Sequence, residues 1–171
     1  MRVAYTLAPQ SGASIQVTIQ DVMDALKYVQ SHAKELNVDP SCFGFLGTSA
    51  GAHLAAVGAM KSQAKLLVGY SGIYDLQKAK ITAKTKDAQR IAYFDQLNPK
   101  TLAAVSPINL IPKKNVPACL LVCGTYDLTV ECEQSKLFAE AVKQKGGKTV
   151  LDIYPFYDHS LSSQVSDKME E

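Results

Sequence analysis

Short apolar runs alternate along the chain with longer stretches in which apolar residues recur every three or four positions. The short runs predict β-strands, and the longer stretches predict amphipathic helices. Strand and helix therefore alternate, which favours an α/β fold with a mostly parallel sheet and helices on both faces. The predicted strands are Val3–Leu7, Cys42–Leu46, Leu66–Tyr70, Ala118–Cys123 and Thr149–Tyr154, and the predicted helices are Asp21–Leu36, Ala50–Met60, Glu133–Lys145 and Leu161–Met169.

Residues 75–105 interrupt this alternation. The stretch contains six basic and three acidic residues, which gives it a local net charge of +3. Such a charged stretch is typical of a solvated excursion at the surface. A small cap over a pocket is the alternative, and the pattern leaves both open.

Length, composition and charge narrow the class of protein. With 171 residues, 47% of them apolar and 20% charged, the chain is expected to form one globular domain over residues 1–171. The net charge of +2 gives no sign of a nucleic-acid or membrane surface. No apolar run approaches the roughly 20 residues that cross a bilayer. Because the first residues lack the long apolar stretch of a signal peptide, we expect a cytoplasmic protein.

The cysteines, at positions 42, 119, 123 and 132, form no C-x-x-C pair. Zinc and redox motifs built on such pairs are therefore unsupported. We expect all of these cysteines to be ordinary buried thiols.

The segment Gly47-Thr48-Ser49-Ala50-Gly51 matches the pattern G-x-S-x-G. In this pattern a serine lies on a sharp turn between a strand and a helix, and glycines on either side avoid clashes of Cβ atoms. The predicted strand before the segment and the predicted helix after it supply that context. A serine at the start of a helix also lies beside backbone N–H groups that can stabilise an oxyanion. Ser49 is therefore a candidate nucleophile.

A nucleophilic serine needs a base, and the sequence contains three histidines. His32 falls within a predicted helix, where a solvated side chain is expected. His53 lies one helical turn after Ser49, where a packing role is expected. His159 follows the last predicted strand, in a loop at the carboxyl end of the sheet, where open α/β sheets carry their active sites. His159 is therefore the candidate base.

The acid that orients the base is expected after an intervening strand. Asp127 follows the predicted strand Ala118–Cys123, and the order Ser49, Asp127, His159 is that of α/β-hydrolases. A helix N-cap or a turn residue is the alternative role for Asp127. The weaker candidates are Asp152, inside a strand, Glu131, further along the chain, and Asp158, next to the histidine.

These residues also carry a likeness to a known family. From residue 3 to about residue 165, the chain resembles the α/β-hydrolase esterases of the acetyl-esterase and hormone-sensitive-lipase type. Residues 3–9 (VAYTLAP) are similar to that family's V-x-Y-R-L-A-P strand, with Thr6 in place of the usual arginine. Residues 47–55 (GTSAGAHLA) are similar to its G-x-S-A-G-x-x-L-A elbow. Its S-P, G-x-x-D and histidine-loop segments are matched by Ser106-Pro107, residues 124–127 and Asp158-His159.

The resemblance implies a serine esterase or lipase that cleaves short-chain carboxylic esters through an acyl-enzyme. Ser49 would attack the carbonyl carbon, His159 would transfer the proton, Asp127 would hold the imidazole, and the Ala50 N–H would help to stabilise the oxyanion. No metal or organic cofactor is implied, and the partner is a small-molecule ester. Related folds cleave amides such as formyl-kynurenine with the same triad, so the scissile bond stays open.

The family also carries an H-G-G segment upstream of the V-x-Y-R-L-A-P strand, which supplies part of the oxyanion hole. Because Val3–Leu7 would correspond to the fourth strand of that fold, we expect an N-terminally truncated hydrolase with impaired activity. An uncovered sheet edge would then favour homo-oligomers. An inactive remnant acting as a binding module is the alternative, although the intact Ser, Asp and His argue against it. A doubly wound nucleotide-binding protein fits the alternation alone, but the sequence lacks a phosphate-binding glycine motif.

Overall fold

The computed structural model describes residues 1–7, 14–79 and 97–161. Its sheet has four parallel strands in the order β1-β2-β3-β4. The strands are β1 (Gly44–Thr48), β2 (Leu66–Tyr70), β3 (Ala118–Gly124) and β4 (Thr149–Tyr154). The helices are α1 (Ile15–Ser31), α2 (Ala50–Lys61), α3 (Pro99–Val105) and α4 (Glu133–Gln144), and a 3₁₀ helix covers Pro107–Asn109. The predicted α/β class with a parallel sheet is confirmed.

The strands are in register at their carboxyl ends. Thr48 pairs with Tyr70, Tyr70 with Val122, and Val122 with Asp152. Because all the strands run in the same direction, the loops that follow β1, β3 and β4 leave the sheet at one edge. That edge is where an α/β sheet can bring together residues far apart in the sequence.

The core lies between one face of the sheet and two helices. Leu67 of β2 and Leu121 of β3 are fully buried on this face, against α2 and against Phe138 of α4. Burial of a side chain of this size stabilises a fold by about 2–3 kcal/mol. In α2 every residue from 52 to 60 is buried, as its nearly uniform apolar sequence predicts. On the opposite face Leu46 and Val150 are 70% and 58% exposed.

The predicted strand Val3–Leu7 is wrong, because residues 1–7 form no strand. Their polar backbone groups bond to α1 instead: the Thr6 N–H donates to Asp21 Oδ2 at 2.8 Å, and the Thr18 hydroxyl donates to the Thr6 carbonyl at 2.9 Å. The bond from Thr6 lowers the pKa of the Asp21 carboxyl. A groove of about 690 Å³ is lined by residues 1–3, by β1 and by residues of α1 and α2. Association of copies along β1 stays a prediction.

The first helix is longer at its start and shorter at its end than the prediction Asp21–Leu36. It begins at Ile15 because Ile15, Ile19 and Val22 share one buried face with helical spacing. After Ser31 the chain continues in turns up to Asn37, whose φ of 51° is left-handed. Asparagine tolerates that conformation better than most residues, but the helix has already ended six residues earlier, at Ser31.

The prediction that every cysteine is a buried thiol is wrong. Cys123, near the end of β3, is bonded to Cys132, which immediately precedes α4, with their Cα atoms 5.2 Å apart. The loop between them returns the chain from the strand to the start of the helix, and sequence spacing alone does not reveal that approach. Cys42 is exposed, while Cys119 is a buried thiol whose pKa is raised by burial to about 12.

Buried polar contacts anchor the two ends of the stretch 75–105 to the rest of the domain. Gln134 of α4 accepts bonds from the Tyr74 and Asp75 N–H groups at 3.0 and 2.8 Å, and the Ser106 hydroxyl accepts one from Leu76 N–H at 2.9 Å. Within this stretch only 75–79 and 97–105 are described, so the choice between surface excursion and cap stays open. The predicted helix Leu161–Met169 also lies outside the described residues, except for its first residue. None of the helices in the described ranges is long and apolar enough to cross a membrane.

Candidate active site

The turn between β1 and α2 presents Ser49 at the carboxyl edge of the sheet. Ser49 has a φ of 56°, a left-handed conformation that is costly for a residue other than glycine. Its N–H donates to the Tyr70 carbonyl of β2 at 2.8 Å, and its own carbonyl accepts bonds from the first turn of α2. These backbone bonds hold the serine in the strained conformation that a nucleophile elbow requires.

The two glycines of the elbow do not have equal roles. A Cβ atom on Gly47 would lie 2.2 Å from the Gly51 carbonyl oxygen, so only glycine fits at position 47. A Cβ atom on Gly51 would meet nothing outside its own helix closer than the Tyr5 hydroxyl at 3.9 Å, among the described residues. The expectation that Cβ atoms clash on both sides is therefore correct for Gly47 and wrong for Gly51.

The structure brings together the three residues that the sequence singles out as nucleophile, base and acid. His159 Nε2 lies 2.9 Å from Ser49 Oγ, and His159 Nδ1 lies 2.7 Å from Asp127 Oδ2. A carboxylate only accepts hydrogen bonds, so the imidazole Nδ1 donates to Asp127. In the neutral imidazole Nε2 is then an acceptor, and it can receive the Ser49 hydroxyl proton.

The acid is fixed more tightly than the base. The Asp127 side chain is fully buried, whereas 27% of the His159 side chain is exposed. Asp127 Oδ1 accepts bonds from the Thr129 and Val130 N–H groups, each at 2.8 Å, which leaves Oδ2 for the imidazole. The turn role that the sequence left as an alternative is thus present in addition to the contact with His159, on the other carboxylate oxygen.

The other candidates lie elsewhere. His53 is buried in α2 and its Nε2 donates to the Val105 carbonyl at 2.8 Å. Burial lowers the pKa of His53 to about 4, although the bond to Val105 opposes the shift. His32 stacks on Tyr28 at the end of α1, with the ring centroids 4.1 Å apart. Among the acids, Asp158 accepts bonds from Ser160, Asp152 lies within β4, and Glu131 is exposed in the loop before α4.

Sequence reasoning missed the contacts that join the acid loop to the histidine loop. The Thr125 N–H donates to the Tyr154 carbonyl at 3.0 Å, and the Tyr126 N–H donates to the Tyr157 carbonyl at 2.9 Å. The Phe156 N–H donates to Thr125 Oγ1 at 2.9 Å. A Cβ atom on residue 124 would lie 2.1 Å from the Tyr157 carbonyl oxygen, so the glycine there permits the close approach. That glycine directly after an apolar run was the one available signal.

A serine, a histidine and a buried carboxylate on the loops of a parallel sheet are the arrangement found in the α/β-hydrolase class, and the fold is that of α/β-hydrolase esterases. The family model described as BD-FAE matches residues 1–142, and the chain belongs to this family. The match contains Ser49 and Asp127 and ends before His159.

Two of the curated relatives are longer esterases. Esterase LipQ of Mycobacterium tuberculosis is 29% identical over 152 residues, covering 77% of this chain and 35% of LipQ. The isoprenylcysteine alpha-carbonyl methylesterase ICME of Arabidopsis thaliana is 25% identical over 180 residues, covering 91% of this chain and 42% of the relative. The chain therefore spans about two-fifths of the length of these relatives.

Solved structures give the same likeness. An esterase from Thermogutta terrifontis is 27% identical with a TM-score of 0.72, and the match covers 91% of this chain and 59% of that one. The same esterase has been solved with butyrate bound and with propionate bound. An acetyl ester-xyloside bifunctional hydrolase from Caldicellulosiruptor lactoaceticus is 25% identical with a TM-score of 0.76, covering 91% of this chain and 60% of that one.

Proposed function

We propose that this chain is a serine hydrolase that cleaves short-chain carboxylic esters through an acyl-enzyme on Ser49. The observation that carries the proposal is the continuous pair of hydrogen bonds from Ser49 Oγ through His159 to Asp127, at 2.9 and 2.7 Å. The butyrate- and propionate-bound forms of the Thermogutta terrifontis esterase support short acyl groups. The esterases LipQ and ICME among the curated relatives support an ester substrate.

The proposed reaction uses the three residues in turn. Ser49 Oγ attacks the ester carbonyl carbon as its proton passes to His159 Nε2, and the imidazolium is stabilised by Asp127. The oxyanion lies near the start of α2, where the Ala50 N–H and the helix dipole stabilise negative charge. When the tetrahedral intermediate collapses, His159 returns the proton to the alcohol, which leaves. Water then repeats the sequence and releases the carboxylic acid, so that Ser49 and His159 regain their starting states.

Hydrolysis of p-nitrophenyl acetate by the purified chain tests the proposal. We expect turnover that is lost in Ser49→Ala and retained in Ser31→Ala, a matched control at the end of α1, remote from the triad. Turnover should fall from the acetate to the octanoate ester if the site takes short acyl groups. Equal rates with the wild type and Ser49→Ala would contradict the proposal and favour a non-catalytic binding module.

A further inference from the structure

The loop that carries His159 contains a strained residue before the histidine. Phe156 has a φ of 66°, in the left-handed region that bulky side chains rarely adopt. It follows Pro155 in the turn after β4. A proline followed by a residue with positive φ is typical of a type II turn, where glycine or asparagine is the usual second residue. Something in the surrounding structure must therefore hold Phe156 in this conformation.

The acid loop supplies the contact that holds it. Thr125 Oγ1 accepts the Phe156 N–H at 2.9 Å. The Tyr126 and Phe156 rings also meet edge to face, with centroids 5.3 Å apart. Thr125 is two residues before Asp127, and Phe156 is three residues before His159. Together with the backbone bonds from Thr125 to Tyr154 and from Tyr126 to Tyr157, this bond joins the two segments whose relative position sets the contact between acid and base.

We propose that Thr125 is a positioning residue, whose hydroxyl oxygen holds the Phe156 turn and thereby keeps His159 aligned between Asp127 and Ser49. Without that acceptor the strained turn can relax to a negative φ. The histidine that follows would then move relative to Asp127, whose own position is fixed by Thr129 and Val130. Because this role acts through the alignment of His159, we expect its loss to lower kcat and to leave KM nearly unchanged.

Matched variants at position 125 test this role, which rests on the proposed esterase activity for its rate measurements. Thr125→Val keeps the shape of the side chain and removes the acceptor, so we expect kcat for p-nitrophenyl acetate to fall about five- to tenfold with KM within about twofold. Thr125→Ser keeps the oxygen and should restore kcat. Thr149→Val, the same change on β4 at a hydroxyl with no hydrogen-bond partner among the described residues, should retain the wild-type kcat. A Thr125→Val enzyme with wild-type kcat, or a Thr125→Ser enzyme as slow as Thr125→Val, would overturn the inference.

A second pair of variants tests the strain itself. Phe156→Asn places a residue that tolerates positive φ in the turn, so the further change Thr125→Val should then cost less than about twofold in kcat. Phe156→Leu also removes the ring contact but keeps the strain, so there the cost of Thr125→Val should remain about five- to tenfold. An equal fall in kcat on Thr125→Val in the Phe156→Asn and Phe156→Leu backgrounds would contradict the proposal. If Thr125→Val alone fails to fold, kcat is compared between Thr125→Ser and Thr125→Ala in each background. The difference in kcat should be small in Phe156→Asn and about five- to tenfold in Phe156→Leu.

A nuclear magnetic resonance measurement separates this inference from the proposed function. The His159 Nδ1 proton, hydrogen-bonded to Asp127, should give a downfield resonance in the wild type, in Thr125→Ser and in Thr149→Val, and should broaden or move upfield in Thr125→Val. An unchanged resonance in Thr125→Val would show a purely structural role for Thr125. Absence of Ser49-dependent turnover in the wild type, with the resonance still responding to Thr125→Val, would refute the proposed function and leave the positioning role supported.

Discussion

The buried histidine of α2 gives a prediction about stability that separates His53 from the histidine of the site. His53 is 5% exposed, and its Nε2 donates to the Val105 carbonyl at the end of α3. Burial disfavours the imidazolium, so the pKa of His53 falls from 6.5 to about 4 in the folded chain. In the unfolded chain the pKa returns to 6.5, so between pH 6.5 and about 4 the unfolded chain binds a proton that the folded chain does not bind.

The size and sign of the effect follow from linkage. At about 1.4 kcal/mol per pH unit, the difference between 6.5 and about 4 corresponds to roughly 3 kcal/mol of unfolding free energy. Above pH 6.5 His53 is neutral in both states, and this contribution is fully present. Between 6.5 and 4 the unfolded state binds more protons, so stability is lost as the pH falls through this window.

Urea unfolding at about pH 7.5 and about pH 4.5 measures the effect. His53→Gln retains a side-chain N–H donor and cannot be protonated, so the wild type should lose about 2–3 kcal/mol more than this variant between the two conditions. His32→Gln, at the end of α1, should behave as the wild type does. At neutral pH His53→Gln should keep its hydrolytic rate, because the His53 side chain bonds to Val105 and only its backbone N–H, which the substitution keeps, bonds to Ser49. An identical pH dependence in the wild type and His53→Gln would refute the reasoning.

Changes at the elbow, the acid and the disulfide test other parts of the account. Gly47→Ala places a Cβ atom 2.2 Å from the Gly51 carbonyl oxygen, so we expect the free energy of unfolding in urea to fall by at least about 2 kcal/mol. An unaltered urea midpoint would contradict the close approach. Asp127→Asn should lower kcat roughly 10³- to 10⁴-fold in a folded protein, and a loss below tenfold would argue against its role. Cys132→Ser removes the disulfide to Cys123, nine residues away, so the free energy of unfolding should fall by about 2–3 kcal/mol, while the control Cys42→Ser should leave it unchanged. Equal thermal midpoints for the wild type and Cys132→Ser would show that the disulfide is absent in solution.

Local patterns predicted the elements whose burial is decided by their own sequence. β2, β3, β4, α2 and α4 lie close to their predicted bounds, because each has a continuous apolar run or a clear helical face. The predicted strand Val3–Leu7 failed because a strand needs a partner. The segment has the right residue types, but its backbone bonds go to Thr18 and Asp21 of α1. Sequence alone does not reveal which neighbour satisfies a backbone group.

The site could be predicted to the extent that topology determines it. Parallel strands end at one edge, so residues that follow β1, β3 and β4 meet there, and Ser49, Asp127 and His159 each follow one of these strands. The Thr125–Phe156 bond and the Cys123–Cys132 bond could not be predicted, because both depend on how closely two loops approach in space. The left-handed φ of Phe156 also contradicts the ordinary preference of its residue type.

Covalent labelling tests the central claim, that Ser49 is an activated nucleophile, without requiring turnover. The folded chain would be treated with a fluorophosphonate at neutral pH, digested, and examined by mass spectrometry. We predict a single phosphonylated serine, Ser49, with labelling absent in Ser49→Ala and much slower in His159→Gln, since the histidine must take the proton. Absence of label on Ser49 in the folded wild-type chain, or labelling at an equal rate in His159→Gln, would contradict the account.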